Sequence, residues 1–222
     1  MNKADALEAA PIVQRCCKNL MNTIATHGRE GSDARTQLGD TIAFAYPMLR
    51  DNSIGPELDQ CFTLARLAGA TFVMIEQVRV LTSRETPTTL GGTITQNSLL
   101  QWCLATEAEI ISDMDFTSRQ DVDTVKQQIK APFQDQIEQA ADDMDQMVFQ
   151  GLVNLYGATV NFLVDTQRPL PQMLQYQFAA PSNTLVIAYR LYSSASRADQ
   201  VRAENKIIHP AFAPATGQAL SA

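Results

Sequence analysis

Apolar residues recur every three or four positions between Val122 and Phe162, over more than forty residues. This spacing puts them on one face of an α-helix, which completes a turn every 3.6 residues. Residues 117–121 (TSRQD) resemble a capping box and mark the start of the run. Pro132 lies inside it and is expected to kink or break the helix, because proline lacks a backbone N–H donor. The pattern therefore predicts one long helix, kinked or broken, of about 60 Å.

The first fifty residues predict two shorter amphipathic helices. The first carries apolar residues at helical spacing over 7–24 and is expected to end at 27–31 (HGREG), since glycine is favoured where helices end. Ser32 or Asp33 is expected to cap the second helix.

The following residues predict two more helices with a long connection between them. Apolar residues at helical spacing indicate a single helix over about 55–81. Residues 82–96 (TSRETPTTLGGTITQ) are rich in Thr, Gly and Pro and predict a long surface loop. Asn97 or Ser98 is expected to cap the fourth helix.

The pattern changes at about Arg168, where we predict a domain boundary between a helical domain (1–168) and a small module (169–222). The predicted elements of the module are a strand at 174–179, a helix capped at 181–183 and running to Tyr192, a helix at 197–205 and a closing strand at 216–220. The residues expected to form its core share helical spacing: Leu185, Ile187, Ala188, Leu191 and Val201.

Charge and hydropathy limit the partners that such a chain can have. The net charge is −7 and the pI is about 4.8, which argues against a general nucleic-acid-binding protein. Between Glu107 and Asp145 eleven acidic residues stand against three basic ones. This excess is either a solvated acidic surface or the complement of a basic partner. The sequence predicts no membrane span and no standard secretion signal, because no stretch approaches 18 apolar residues and the N-terminus lacks an apolar core.

No catalytic or metal-binding pattern occurs in the sequence. GxGxxG, GxxxxGK[ST], HExxH and GxSxG are all absent. The acidic residues at 142–145 do not share one helix face and lack the spacing of an EF-hand loop. We therefore expect no enzyme activity, no cofactor and no bound metal. The cysteines show no CxxC spacing and are predicted to be free, buried thiols: Cys16, Cys17, Cys61 and Cys103.

Residues 185–199 (LVIAYRLYSSASRAD), followed by Asn205, Pro210 and 217–220 (GQAL), resemble a LysM-type module. Over a longer stretch, 188–214 (AYRLYSSASRADQVRAENKIIHPAFAP) is similar to the end of the Mu-like phage DNA-circularisation proteins, which are tail and baseplate components. The segment 5–24 (DALEAAPIVQRCCKNLMNTI) is similar to the middle of that family. This chain then corresponds to the C-terminal part of the longer members.

Periodicity and resemblance together predict a mainly α protein, an elongated helical bundle with one long helix followed by a small α+β LysM-like module. The resemblance implies a structural component of a contractile phage tail baseplate, assembled in the host cytoplasm and present in the virion. Its expected partners are tail-tube, hub or wedge proteins, in several copies of a symmetric assembly. The partner-binding residues are predicted on the module: Tyr189, Arg190, Tyr192, Arg197, Asn205 and Phe212.

Two other functions are compatible with the same resemblance. The family description suggests a protein that binds DNA ends, for which 190, 197, 202 and 206 offer a basic patch, although the net charge makes nucleic acid an unfavoured partner. LysM-type modules in cell-wall proteins bind glycan, which suggests a peptidoglycan-binding protein.

Overall fold

The structure is a computed structural model that describes residues 1–24 and 28–221. Over these residues the protein is mainly helical, with nine α-helices, one short 3-10 helix and one two-stranded antiparallel sheet. The chain forms two compact units. The helical unit comprises Met1–Met114 and Ile129–Val160, and the C-terminal unit comprises Asp115–Gln128 and Asn161–Ala222. The predicted helical domain (1–168) thus differs from the helical unit, because 115–128 and 161–168 group with the module.

In the helical unit α1 (Lys3–Met21) packs against α2 (Arg29–Arg50) and α5 (Leu90–Ser112). Helix α5 also packs against α3 (Ile54–Leu67) and α4 (Phe72–Ser83). The largest fully buried side chains there come from several different helices, among them Leu38, Phe62, Ile75 and Leu104. The four cysteines are free and buried, as predicted. The seven helices of the chain up to the module are α1 (Lys3–Met21), α2 (Arg29–Arg50), α3 (Ile54–Leu67), α4 (Phe72–Ser83), α5 (Leu90–Ser112), α6 (Arg119–Asp142) and α7 (Gln146–Gln167).

The second helix begins earlier than predicted. It starts at Arg29 after Gly28, whose φ of 102° suits glycine, so the expected cap at Ser32 or Asp33 is wrong. Of the predicted turn at 27–31, residue 27 lies outside the described residues, and Arg29 onward is helical.

The single helix predicted over 55–81 is two helices, α3 and α4. Gly69 has a φ of 92°, and the amide of Ala70 donates to the carbonyl of Ala65 over 3.1 Å. This hydrogen bond across a left-handed glycine is the Schellman arrangement that ends a helix. The apolar periodicity continues through the turn, which is why spacing alone did not reveal it.

The long loop predicted at 82–96 is wrong, because α5 already begins at Leu90. Glu8 on α1 accepts hydrogen bonds from the amides and hydroxyls of Thr88 and Thr89, and these bonds hold its pKa at about 2. Thr89 in turn caps α5 at the amide of Gly92. An added Cβ at Gly91 would lie 2.3 Å from Cβ of Asp5, so only glycine lets α5 start against α1.

The long helix predicted over 122–162 is also two helices, and the break is not at Pro132, which lies inside α6. It falls at Met144, which has a φ of 55°. The amide of Asp145 donates to the carbonyl of Ala140, and the Asp145 carboxylate accepts from the amide of Val148 at the start of α7. The predicted capping box at the start of α6 is confirmed: Ser118 and Asp121 exchange hydrogen bonds of 2.9 and 3.2 Å.

The C-terminal unit contains the predicted order of strand, helix, helix and strand. Strand β1 (Met173–Gln177) pairs antiparallel with β2 (Thr216–Leu220), and Gln175 faces Gln218 in the register. Between them lie α8 (Thr184–Tyr192), a 3-10 helix (Ala195–Arg197) and α9 (Ala198–Glu204). The part from β1 to β2 packs around a small cluster of buried residues: Tyr176, Ile187, Ala188, Ala198, Val201, Ile207, Ala213 and Ala219.

The predicted core of this module is correct at three positions and partly correct at a fourth. Ile187, Ala188 and Val201 are buried, and Leu191 packs against them while half-buried. Leu185 was expected inside but is 55% exposed. Helix α8 buries the narrow stripe that includes 184, 187 and 188, and residue 185 lies beside that stripe.

Candidate partner-binding surface

Helix α8 places two of the predicted partner-binding residues, Tyr189 and Arg190, outward. The side chain of Asn183 caps the helix by accepting from the amide of Val186 over 2.7 Å, which fixes where the helix starts. With Ile187 and Ala188 turned inward, the next two side chains face solvent, and Tyr189 is 64% exposed. An exposed tyrosine on a fixed helix presents apolar area at a low cost in side-chain entropy.

Phe212 lies in a connecting segment that backbone hydrogen bonds hold against the start of α8. The amide of Thr184 donates to the carbonyl of Pro210 over 2.8 Å, and Ser182 and Ala213 form an antiparallel bridge. Phe212 itself is 79% exposed, and its ring contacts only the neighbouring His209 ring among the ring pairs of the described chain, at 5.3 Å. The surrounding backbone is therefore ordered while the ring remains free to contact a partner.

Two arginines of the predicted set stack on aromatic rings of the module itself. The guanidinium of Arg190 lies 5.5 Å from the centre of the Phe178 ring, and that of Arg197 lies 3.8 Å from the Tyr192 ring. Arg190 stays exposed, whereas Arg197 and Tyr192 are half-buried. These cation–π contacts orient the two charges without removing them from solvent.

Asn205 has a role inside the module. Its amide nitrogen donates to the carbonyls of Val201 and Gln218, and its oxygen accepts from the amide of Gln218 over 2.6 Å. The two hydrogen bonds to Gln218 tie the end of α9 to β2, and the bond to Val201 holds the Asn205 side chain against α9. The surface therefore consists of the other predicted residues, with Tyr189, Arg190 and Phe212 as its exposed part.

Three further apolar residues of the module are exposed and were not predicted to be so. Leu185 lies one helical turn before Tyr189 on α8, Ile208 precedes Phe212 in the connecting segment, and Leu174 lies on β1. A sequence signal existed for Leu185, because it falls outside the stripe 184, 187, 188, 191. Ile208 has no such signal, since its exposure depends on how the segment 206–213 folds back.

The module differs in charge from the rest of the chain. Residues 169–222 carry four basic and two acidic residues, and 1–168 carry thirteen basic and twenty-two acidic ones. A surface of exposed aromatic and apolar side chains with arginines around it has the composition of protein–protein interface hot spots.

Two further properties bear on the kind of partner. Among residues 1–24 and 28–221, no group of three or more His, Cys, Asp or Glu side chains could hold a metal ion. Over the same residues, α7 is the one helix long and apolar enough to cross a membrane, and one such helix is weak evidence for a span.

The sequence matches no protein-family model, and a comparison with curated proteins gives no match either.

Proposed function

We propose that this protein is a structural component of a contractile phage tail baseplate, and that its C-terminal module docks onto neighbouring tail-tube, hub or wedge proteins. The observation that carries the proposal is that a module with a core of eight buried residues leaves Tyr189, Ile208 and Phe212 largely exposed. A small domain has little apolar surface to spare, so large side chains held outside its core are best explained by contact with a partner.

We propose further that the module is LysM-like. The order strand, helix, helix, strand supports this, as does the antiparallel pairing of β1 with β2. We propose that the module binds protein rather than glycan, because its exposed side chains are apolar and aromatic and have arginine beside them. Several copies then occupy equivalent positions in a symmetric assembly in the virion, after assembly in the host cytoplasm.

Mass spectrometry of purified tails tests the function directly. Tails from the phage that encodes this chain are expected to contain it in a fixed ratio to the other tail proteins. Intact, infectious virions without the chain would refute a structural role.

Paired variants test whether the exposed surface does the docking. Tyr189→Ala with Phe212→Ala should leave the far-UV circular dichroism and thermal unfolding nearly unchanged, because both side chains are mostly exposed. The same pair should reduce incorporation into tails at least about tenfold, as expected for aromatic hot spots. Phe44→Ala is the matched control, since Phe44 is an exposed aromatic on α2. Equal incorporation of both variants would contradict docking through this surface.

DNA binding is the second candidate, favoured only by the basic charge of the module. Two of its four cations are held internally: Arg197 also donates to Gln200, and Arg202 donates to the carbonyls of Ile207 and Ile208. Gel shifts at about 50 and 200 mM salt distinguish the two functions, since true phosphate contacts weaken steeply over this range. A pull-down with insoluble cell wall tests directly whether the protein binds glycan.

A further inference from the structure

A groove runs along the helical unit between α5 and the start of α7. Its two connected parts have volumes of about 310 and 340 Å³ and share Ser98, Gln101 and Val148. Along α5 it extends from Leu90 to Ala105, about 22 Å at the helical rise. This length matches about four turns of a bound helix.

Apolar side chains line both parts of the groove, together with polar and acidic ones in the part that begins at Leu90. Leu90 and Ile94 line it and are more than half exposed. Met144 and Met147 are neighbours in the sequence of its lining residues Asp143, Asp145 and Val148 and are 90% and 85% exposed. Two large apolar side chains left in solvent within one groove are typical of a surface that a partner covers. Methionine adapts its shape to different apolar ligands, which makes it common at surfaces that bind helices.

The charged groups of the groove all have one sign. Asp143 and Asp145 line it, and no lysine or arginine of the described chain does. Asp143 accepts from the amide nitrogen of Gln139, and Asp145 accepts from the backbone of Val148. Each carboxylate therefore uses one oxygen internally, and in residues 1–24 and 28–221 neither forms an ion pair.

We propose that this groove binds an amphipathic helix of a partner protein that carries lysine or arginine beside its apolar face. The apolar face would cover Leu90, Ile94 and Val148, and the basic residues would meet Asp143 and Asp145. The inference concerns the helical unit alone and does not depend on the baseplate function proposed for the module.

Charge and length favour a separate partner over a second copy of this chain. The region 1–168 carries twenty-two acidic residues against thirteen basic ones, so two such regions repel. The basic residues of the module lie on or beside helices of nine and seven residues. Nine residues span about 14 Å, which leaves more than a third of the groove empty.

Trp102 makes the proposal directly measurable. It lines the groove and is the only tryptophan of the chain, so its fluorescence reports on occupancy. The probes are two peptides of about sixteen residues without tryptophan, one Leu/Lys and one Leu/Glu, with the same apolar positions. We expect the Leu/Lys peptide to shift the Trp102 emission to shorter wavelength with saturation, and the Leu/Glu peptide to bind at least tenfold more weakly.

Two pairs of variants locate the binding. Asp143→Asn with Asp145→Asn keeps both internal hydrogen bonds possible and should weaken binding of the Leu/Lys peptide about fivefold, with a weaker salt dependence. Asp40→Asn with Asp59→Asn removes the same charge from exposed positions on α2 and α3 and should change the affinity less than twofold. Ile94→Gln should weaken binding about tenfold, and Leu67→Gln, equally exposed on α3, should have no effect.

Three outcomes would overturn the proposal. Equal binding of the two peptides, or equal effects of the two aspartate pairs, would show that the groove does not select a basic helix. A Trp102 shift with neutral phosphatidylcholine vesicles as large as with the Leu/Lys peptide would identify a membrane as the ligand. A dimer in light scattering that Ile94→Gln dissociates, without a peptide-induced shift, would assign the groove to a second copy.

Discussion

The helical unit and the C-terminal unit stabilise themselves in different ways. In the helical unit the packed core is large enough to enclose the carboxylate of Glu107, which is fully buried and lies 2.8 Å from Nε of Arg79. In the C-terminal unit the part from β1 to β2 packs around a cluster of eight buried residues, and side chains such as Asn183 and Asn205 hold the ends of its elements by hydrogen bonds to the backbone. A larger core thus tolerates an expensive buried group, whereas a small one depends on each apolar side chain and each cap.

The largest expected effect is in the small core. Ile187→Ala removes a fully buried side chain from the centre of the C-terminal unit and should cost about 2–5 kcal/mol. Because a unit of this size has little stability in reserve, we expect it to unfold while the helical unit keeps its structure. Hydrogen exchange resolved by segment should show 173–220 losing protection and 58–111 retaining it.

Leu185→Ala is the matched control on the same helix. Leu185 is 55% exposed, so its truncation should change stability by less than about 0.5 kcal/mol. Similar losses of protection for both variants would mean that the unit does not depend on its buried core as argued.

The buried Glu107 gives the helical unit a pH dependence. Burial raises the pKa of Glu107 to about 7, the Arg79 ion pair opposes that rise, and Glu76 adds to it. The unfolded chain releases this proton near pH 4.5, so between about pH 4.5 and 7 the folded state binds more protons. Stability should therefore fall as pH rises through this window, by about 3 kcal/mol at 1.36 kcal/mol per pH unit.

Urea unfolding at several pH values measures this fall, and Glu107→Gln should abolish it. Glu138→Gln is the control, because Glu138 is exposed on α6 and should leave the pH dependence intact. An unchanged slope in Glu107→Gln would assign the pH dependence to other groups.

The contact between α1 and the start of α5 should be sensitive to a single methyl group. Gly91→Ala places a Cβ 2.3 Å from Cβ of Asp5 and should destabilise the helical unit by about 1–3 kcal/mol. Gly39→Ala, inside α2 with no atom within 4 Å of the new Cβ, should instead stabilise it by up to about 1 kcal/mol. Thermal unfolding should show a lower melting temperature for Gly91→Ala and a higher one for Gly39→Ala. A lower melting temperature in both variants would contradict the close approach of α5 to α1.

The parts of the fold that the sequence predicted well are those decided by neighbouring residues. The capping box at 118–121, the Asn183 cap and the closing strand at 216–220 each depend on a few adjacent side chains. The errors arise where distant residues decide. Helix α5 begins at Leu90 because Glu8, eighty residues earlier, holds Thr88 and Thr89.

In the candidate surface, too, the sequence predicts what neighbouring residues decide and misses what distant residues decide. The exposure of Tyr189 could be predicted because an aromatic residue off the buried stripe of a short helix faces solvent. The exposure of Phe212 depends on how the segment 206–213 folds back. The internal role of Asn205 could not be predicted, since it depends on the backbone of β2 thirteen residues away. The groove on the helical unit escaped prediction because its first residues, Leu90 and Ile94, were assigned to a loop.

The smallest expected effect on stability is at the end of a helix in the C-terminal unit. Ser193 ends α8 with a φ of 55°, where its amide donates to the carbonyl of Tyr189 over 2.8 Å. Residues other than glycine are strained in this left-handed conformation, so Ser193→Gly should stabilise the unit by about 0.5–1 kcal/mol. For glycine at the next position, 194, we expect a stability change of the opposite sign. Ser194 has an extended backbone and its hydroxyl accepts from the amide of Ser196, so Ser194→Gly should lose a few tenths of a kcal/mol. Thermal unfolding of the two variants side by side measures both, and a gain from Ser194→Gly equal to that from Ser193→Gly would show that the helix end is not strained.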